Sequence, residues 1–137
     1  MDLTKYPQYQ LYLLTLKLMN LKNHLIPENC DERCINSTII NRAYFSSYLL
    51  SKLWLEDIKK FKTIPPWNFG DDKPISEHKQ IRQALYNFGE KKMKTELSRL
   101  SSLRKKADYN PFTEITHEEL SAAIFHMENI FNNLKFD

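Results

Sequence analysis

Glycine occurs only twice in this chain, at Gly70 and Gly89. Hairpin-rich β folds use glycine wherever the backbone must turn through positive φ, so two glycines in 137 residues argue against a turn-rich all-β fold. What remains favours helix: leucine, lysine and glutamate are among the commonest residues, and all three are good helix formers. The apolar share of 42% is enough for a packed core, and the length suits one domain, taken as residues 1–137. Cys30 and Cys34 fit neither a redox nor a zinc spacing. They read as free thiols on adjacent turns of one helix, in a reducing compartment. No apolar run is long enough to span a bilayer, and Met1 to Pro7 lacks the layout of a secretory signal. The expectation is a cytoplasmic chain with no membrane contact.

Apolar spacing divides the chain into five helices. From Gln8 to Leu25, leucines at 11, 14, 18, 21 and 25 form one helical stripe, widened by Leu13 and Leu16 and ended by Pro27. A second helix is predicted from Asp31 to Phe61, with Ile39, Ala43, Tyr44, Ser47, Leu50 and Trp54 on its inner face. Thr63 to Pro74 holds three prolines and a glycine and reads as the one long loop. Its Trp67 and Phe69 are expected to pack down onto the bundle, because both are costly to hydrate. Ser76 is a good N-cap for a third helix ending at Gly89. A fourth runs from Lys91 to Tyr109 and stops at Asn110-Pro111. Thr116-His117-Glu118-Glu119 is a capping box opening the fifth, whose apolar face continues through Leu120, Ile124, Met127, Ile130, Phe131 and Leu134. The predicted fold is all-α, an up-and-down antiparallel bundle of about five helices.

Four histidines (24, 78, 117 and 126) show no metal-ligand spacing, glycine-rich phosphate loops are absent, and no nucleophile elbow occurs. The sequence therefore names no metal and no cofactor. The net charge of +3 is small, but from Lys91 to Lys106 the fourth helix carries Lys91, Lys92, Lys94, Arg99, Arg104, Lys105 and Lys106 against Glu96 alone. Such a helix attracts a phosphate backbone, and equally suits a solvated face with cations near its C-terminus. Arg104 lies three before Ala107 and four after Leu100, on or beside the apolar stripe. A guanidinium there must be paired or line a groove. Asp108, one turn on, is its natural partner. Arg42, between Ile39 and Ala43, is placed similarly, so the group reads either as an internal ion network or as a phosphate-binding notch.

These residues carry a family resemblance. Asn41-Arg42-Ala43-Tyr44-Phe45-Ser46-Ser47-Tyr48 resembles a signature on the second helix of HEPN domains. Ser76-Glu77-His78 resembles the histidine-bearing stretch that follows it, and Leu103-Arg104-Lys105-Lys106-Ala107-Asp108-Tyr109 resembles the Leu-Arg-x-x-Ala-Asp-Tyr element. The likeness runs from about Asn36 to Leu134. It implies a helical bundle, usually a homodimer, and in many members a metal-independent endoribonuclease of toxin–antitoxin or antiviral defence systems. In those members an arginine is followed, after four to six intervening residues, by a histidine. Arginine would stabilise the scissile phosphate while histidine moves a proton. Here the corresponding positions are Tyr109, Asn110 and Pro111, so His78 is the candidate substitute. On the RNA-directed reading, Arg104, His78, Asp108 and Tyr109 are the candidate catalytic residues, and Arg42, Arg99, Lys105 and Lys106 the candidate RNA contacts. Tyr109 is also placed to pack or hydrogen-bond with Arg42 across the seam. The alternative is a non-catalytic HEPN module that dimerises or binds a partner such as a nucleotidyltransferase-type antitoxin.

Overall fold

The computed structural model describes residues 2–136. Among them are five α-helices and no strands: α1 (Pro7–Leu25), α2 (Glu32–Asp57), α3 (Glu77–Asn87), α4 (Lys91–Tyr109) and α5 (His117–Asn133). Their ends follow local chemistry. Pro7 opens α1, where a missing N–H is harmless. Ser76 caps α3 by accepting from the Lys79 N–H, and Thr116 with Glu119 closes a full capping box on α5. Gly89, at φ 88°, ends α3: its N–H bonds the Tyr86 carbonyl and the Glu90 N–H bonds that of Leu85. These are the two bonds of a Schellman stop.

Helix α2 is the hub and packs against each of the other four. Side-chain pairings fix the directions. Lys22 of α1 meets Glu32 of α2. Along α2 and α3, Tyr48 and Lys52 both meet Glu77, while Tyr44 meets His78. Between α2 and α4, Arg33 reaches Ala107 and Asn110, and Tyr44 lies under Arg104. Between α4 and α5, Lys106 pairs with Glu119 and Glu96 with His126. Rising numbers on one helix match falling numbers on the other for α2 with α4 and for α4 with α5, so those pairs run antiparallel, whereas Tyr44 by His78 and Phe61 by Phe88 set α3 in the same sense as α2. Ile39, Tyr44, Leu50, Leu55, Ile81, Leu85, Leu97, Leu100, Leu120, Met127 and Ile130 close one core. The inner face of α2 is the one read from spacing: Ile39, Ala43, Tyr44, Ser47, Leu50 and Trp54 are all buried.

Four expectations change. Helix α2 stops at Asp57, short of Phe61: Lys60 takes a positive φ of 56° and the Phe61 N–H turns back to the Leu55 carbonyl. The leucine stripe of α1 is split. Leu18 and Leu25 pack on the core, but Leu14 and Leu21 face solvent. Tyr12 stacks on Phe131 of α5 with ring centroids 4.3 Å apart, and Tyr9 meets the same ring edge-on, which sets the rotation of α1. Cys30 precedes α2 while Cys34 lies within it, so the two thiols do not share a helix; both are exposed and free. In the long loop Phe69 is half-buried, but Trp67 stands 80% exposed. The loop is held instead by buried Gln80, whose amide donates to the Ile64 and Ile75 carbonyls and accepts from the Ile64 N–H. Two backbone carbonyls and one N–H near the bundle demanded partners more strongly than one indole demanded burial.

Candidate functional site

Tyr44 is the centre of the one cluster that gathers sequence-singled residues from three helices. It is 1% exposed on the inner face of α2. His78, in the first turn of α3, lies parallel to its ring, and the two are hydrogen-bonded through Tyr44 Oη and His78 Nδ1. Tyr48 stacks on the imidazole at 4.1 Å between centroids. From α4, the Arg104 guanidinium sits over the rings of Tyr44 and Phe45, 5.6 and 5.2 Å from their centroids. Such placements stabilise a partly dehydrated cation. Arg104 Nε donates to Asp108 Oδ2 at 2.9 Å, and Asn41 Nδ2 donates to the same oxygen at 3.2 Å. Among the described residues the terminal nitrogens of Arg104 hold no hydrogen bond, and its side chain keeps 22% of its exposure. It is a cation with a fixed base and free donors.

The electrostatics are coupled through Tyr44. Burial pushes its phenol up, opposed by the Arg82 and Arg104 cations. With the phenol donating to Nδ1, the imidazole carries its proton on Nε2 and that nitrogen is a donor. Burial holds His78 below its usual value, and the Arg104 and Arg82 cations push the same way. Glu77, beside it, is held below the usual carboxylate range chiefly by its hydrogen bond with Lys52, then by that with Tyr48. The group as a whole offers two guanidinium groups and a neutral imidazole N–H around a buried phenol. That set suits an oxyanion with more than one oxygen to be held.

The structure brings together Arg104, His78 and Asp108, as the sequence motif suggested, and adds Tyr44, Asn41 and Arg82. It separates the rest. Arg42 is exposed, and among the described residues it holds no hydrogen bond or ion pair, so it lies outside any internal network. Tyr109 is 69% exposed and does not bond Arg42. The cations of α4 do not form one face. Lys106 is tied to both oxygens of Glu119 at 2.8 Å, fastening the start of α5, and that contact is the main reason the Glu119 carboxyl sits below the usual range. Arg99 borders a shallow groove with Leu103, Ala122 and His126. Lys105 is exposed, and its charge is felt at His78.

Two pairings had no local signal. His126 donates from Nδ1 to Glu96, thirty positions away in sequence, and Asn129 donates to the other carboxylate oxygen at 3.3 Å. Glu96, the one carboxylate between Lys91 and Lys106, is thus a cross-helix partner with 14% side-chain exposure. Arg33 clamps the far end of α4: Nε donates to the Thr113 carbonyl at 2.7 Å and Nη2 to those of Ala107 and Asn110 at 3.2 and 2.9 Å. Only a fold that lays α5 and α2 along α4 reveals these contacts. Compared with protein-family models, curated proteins and solved structures, the chain matches none.

Proposed function

We propose that this chain is an HEPN-like, RNA-directed protein in which Arg104 and His78 together hold a backbone phosphate. The observation that carries the reading is their convergence on Tyr44 from separate helices, with the terminal donors of Arg104 left free. Arg82 adds a second cation from α3, close enough to act on both Tyr44 and His78. On this reading cleavage, like binding, requires no metal. The 2′-oxygen attacks phosphorus as the bond to the 5′-oxygen breaks; the 2′-proton passes to solvent, Arg104 stabilises charge on the phosphorane, and His78 Nε2–H hydrogen-bonds the departing 5′-oxygen. The test is incubation of the purified protein with single-stranded RNA in excess chelator, followed by analysis of products and of binding across a salt series. Expected are salt-sensitive binding and cyclic-phosphate ends, both lost with Arg104→Ala. No binding and no cleavage by the unaltered protein overturns the proposal.

One observation favours the second reading, a non-catalytic module that dimerises or binds an antitoxin of the nucleotidyltransferase type. His78 Nδ1 is engaged by the Tyr44 hydroxyl, which leaves no imidazole lone pair to deprotonate a 2′-hydroxyl. Salt-sensitive RNA binding without any cleavage, together with recovery of a stoichiometric partner from the native host, supports that alternative.

A further inference from the structure

The tetrapeptide Lys59-Lys60-Phe61-Lys62 recurs in kind as Lys91-Lys92-Met93-Lys94. The first follows the end of α2, the second opens α4, and the fold carries both to one end of the bundle. The Phe61 ring meets that of Phe88 edge-on, 6.2 Å between centroids, and Phe88 stands three residues before Lys91. Each tetrapeptide turns its apolar side chain inward, with Met93 buried and Phe61 half-buried. The lysines are left outside. Lys59, Lys60, Lys62, Lys91 and Lys92 are exposed, and Lys94 borders an open depression with Tyr86. Among the described residues no carboxylate pairs with any of the six. Over residues 57–62 and 90–94 lysines outnumber acids six to two, the acids being Asp57 and Glu90. The neighbouring loop adds Asp71, Asp72 and Lys73 and leaves the excess positive.

Exposed apolar side chains accompany the charge. Ile64, Trp67, Tyr86 and Phe88 all face solvent. Ile64 lines one depression with Phe61 and Asn87, and Tyr86 lines the next with Asn87 and Lys94, so apolar and basic groups share this end. Trp67 stands on a short turn of the same loop, where the Asn68 N–H bonds the Pro65 carbonyl, and Gln80 fastens that loop at Ile64 and Ile75. Rings and an isoleucine held in water are costly. A surface that offsets that cost and answers six unpaired lysines has an apolar interior behind a layer of negative charge. We infer that this end of the bundle docks peripherally on an anionic lipid bilayer, with the two lysine groups on headgroup phosphates and Ile64, Trp67 and Phe88 entering the interfacial layer. No helix among the described residues is long and apolar enough to cross a bilayer, and surface docking needs none. A nucleic acid would be drawn to the same lysines, but an isoleucine gives a base no plane to stack on. Lys94 lies about 15 Å along α4 from Arg104 at the helical rise, so this surface is separate from the notch and does not depend on the RNA-directed reading.

The experiment is co-sedimentation of the whole chain with vesicles of phosphatidylcholine alone or mixed with phosphatidylglycerol, with tryptophan emission recorded beside it. Trp67 is the exposed indole, while Trp54 is buried and gives a constant background. Expected are binding to the mixed vesicles only, weakened by salt, and a blue shift of emission that Trp67→Ala abolishes. The double variant Lys91→Ala/Lys92→Ala should weaken vesicle binding by at least about tenfold, and Trp67→Ala by about fivefold. Thermal melts accompany both variants, whose altered side chains lie outside the core. No binding to mixed vesicles by the unaltered protein overturns the proposal. So does binding without a blue shift, which makes the contact adsorption of charge alone. Unchanged vesicle binding in the lysine variant alongside loss of RNA affinity also overturns it, since that makes this end a nucleic-acid surface.

Discussion

His78 and Asp108 each carry a consequence that a single substitution reads out. The folded state holds His78 below its usual 6.5, through burial first and then the Arg104 and Arg82 cations. The sign follows from proton counting. Above about 6.5 the imidazole is neutral in both states. As pH falls below that value the unfolded chain takes up a proton that the folded chain refuses, so stability is lost progressively down to the depressed folded value. Glu77, Lys105 and both arginines also face this ring, but Glu77 titrates in a lower window. The melting temperature of the protein should therefore drop between pH 7.5 and pH 5.5 by more than that of His78→Gln. Equal drops would show that His78 contributes nothing to the acid limb. Asp108 acts in the opposite sense on ligand binding. Its carboxylate occupies Arg104 Nε, so on the proposed function it competes with a phosphate for that guanidinium. Asp108→Asn should cost the fold about 0.5–1 kcal/mol, as loss of a partly exposed ion pair does, while tightening RNA binding by roughly fivefold. Weaker binding would make Asp108 a contributor to the ligand site and not a competitor. The Arg104–Asp108 pair was legible because its partners are four apart on one helix. Tyr44 as a hinge between histidine and arginine was not: spacing marked it only as a core residue, and its hydroxyl partner lies thirty-four positions away.

At the level of elements, caps and stops were legible because each is written in three or four adjacent residues. Ser76, Gly89 and the Thr116 capping box fell where local chemistry put them. Side-chain burial in α1 and in the long loop was not, because it depends on what the neighbouring element offers. Five leucines made a stripe, yet two aromatic contacts with Phe131 decided how α1 turned. Trp67 looked like the loop's anchor, yet Gln80 holds it with three hydrogen bonds. The two residues can be compared directly in chemical denaturation. Gln80→Ala should destabilise by about 1–2 kcal/mol, since it leaves part-buried backbone groups of Ile64 and Ile75 without partners. Trp67→Ala should cost less than about 0.5 kcal/mol. The reverse order would mean that the indole, and not the amide, closes the loop.

Across the whole molecule, α4 and α5 are joined by polar pairs at both ends, Lys106–Glu119 at one and Glu96–His126 at the other. The second is the more deeply buried, with side-chain exposures of 14% for Glu96 and 9% for His126. Glu96→Ala should cost about 3 kcal/mol or more, because the imidazole is left buried without its acceptor. A loss below 1 kcal/mol would place the pair in effective contact with solvent. Trp54 extends the same linkage to the distal end of the chain. From near the end of α2 its indole N–H donates to the Lys135 carbonyl at 2.8 Å, beyond α5. Helix α2 is therefore completed by the most distant segment described, although it is the second helix to be made. During synthesis its inner face, from Ile39 to Trp54, emerges with only α1 to lie against and waits for α4 and α5 to cover it. A nascent chain of this order keeps an aromatic, aggregation-prone surface open until translation of the fifth helix is finished. Its yield in a cell should depend on how quickly the ribosome traverses the stretch between Asp57 and Asn133, and on what chaperone shields Tyr44 and Trp54 in the interval.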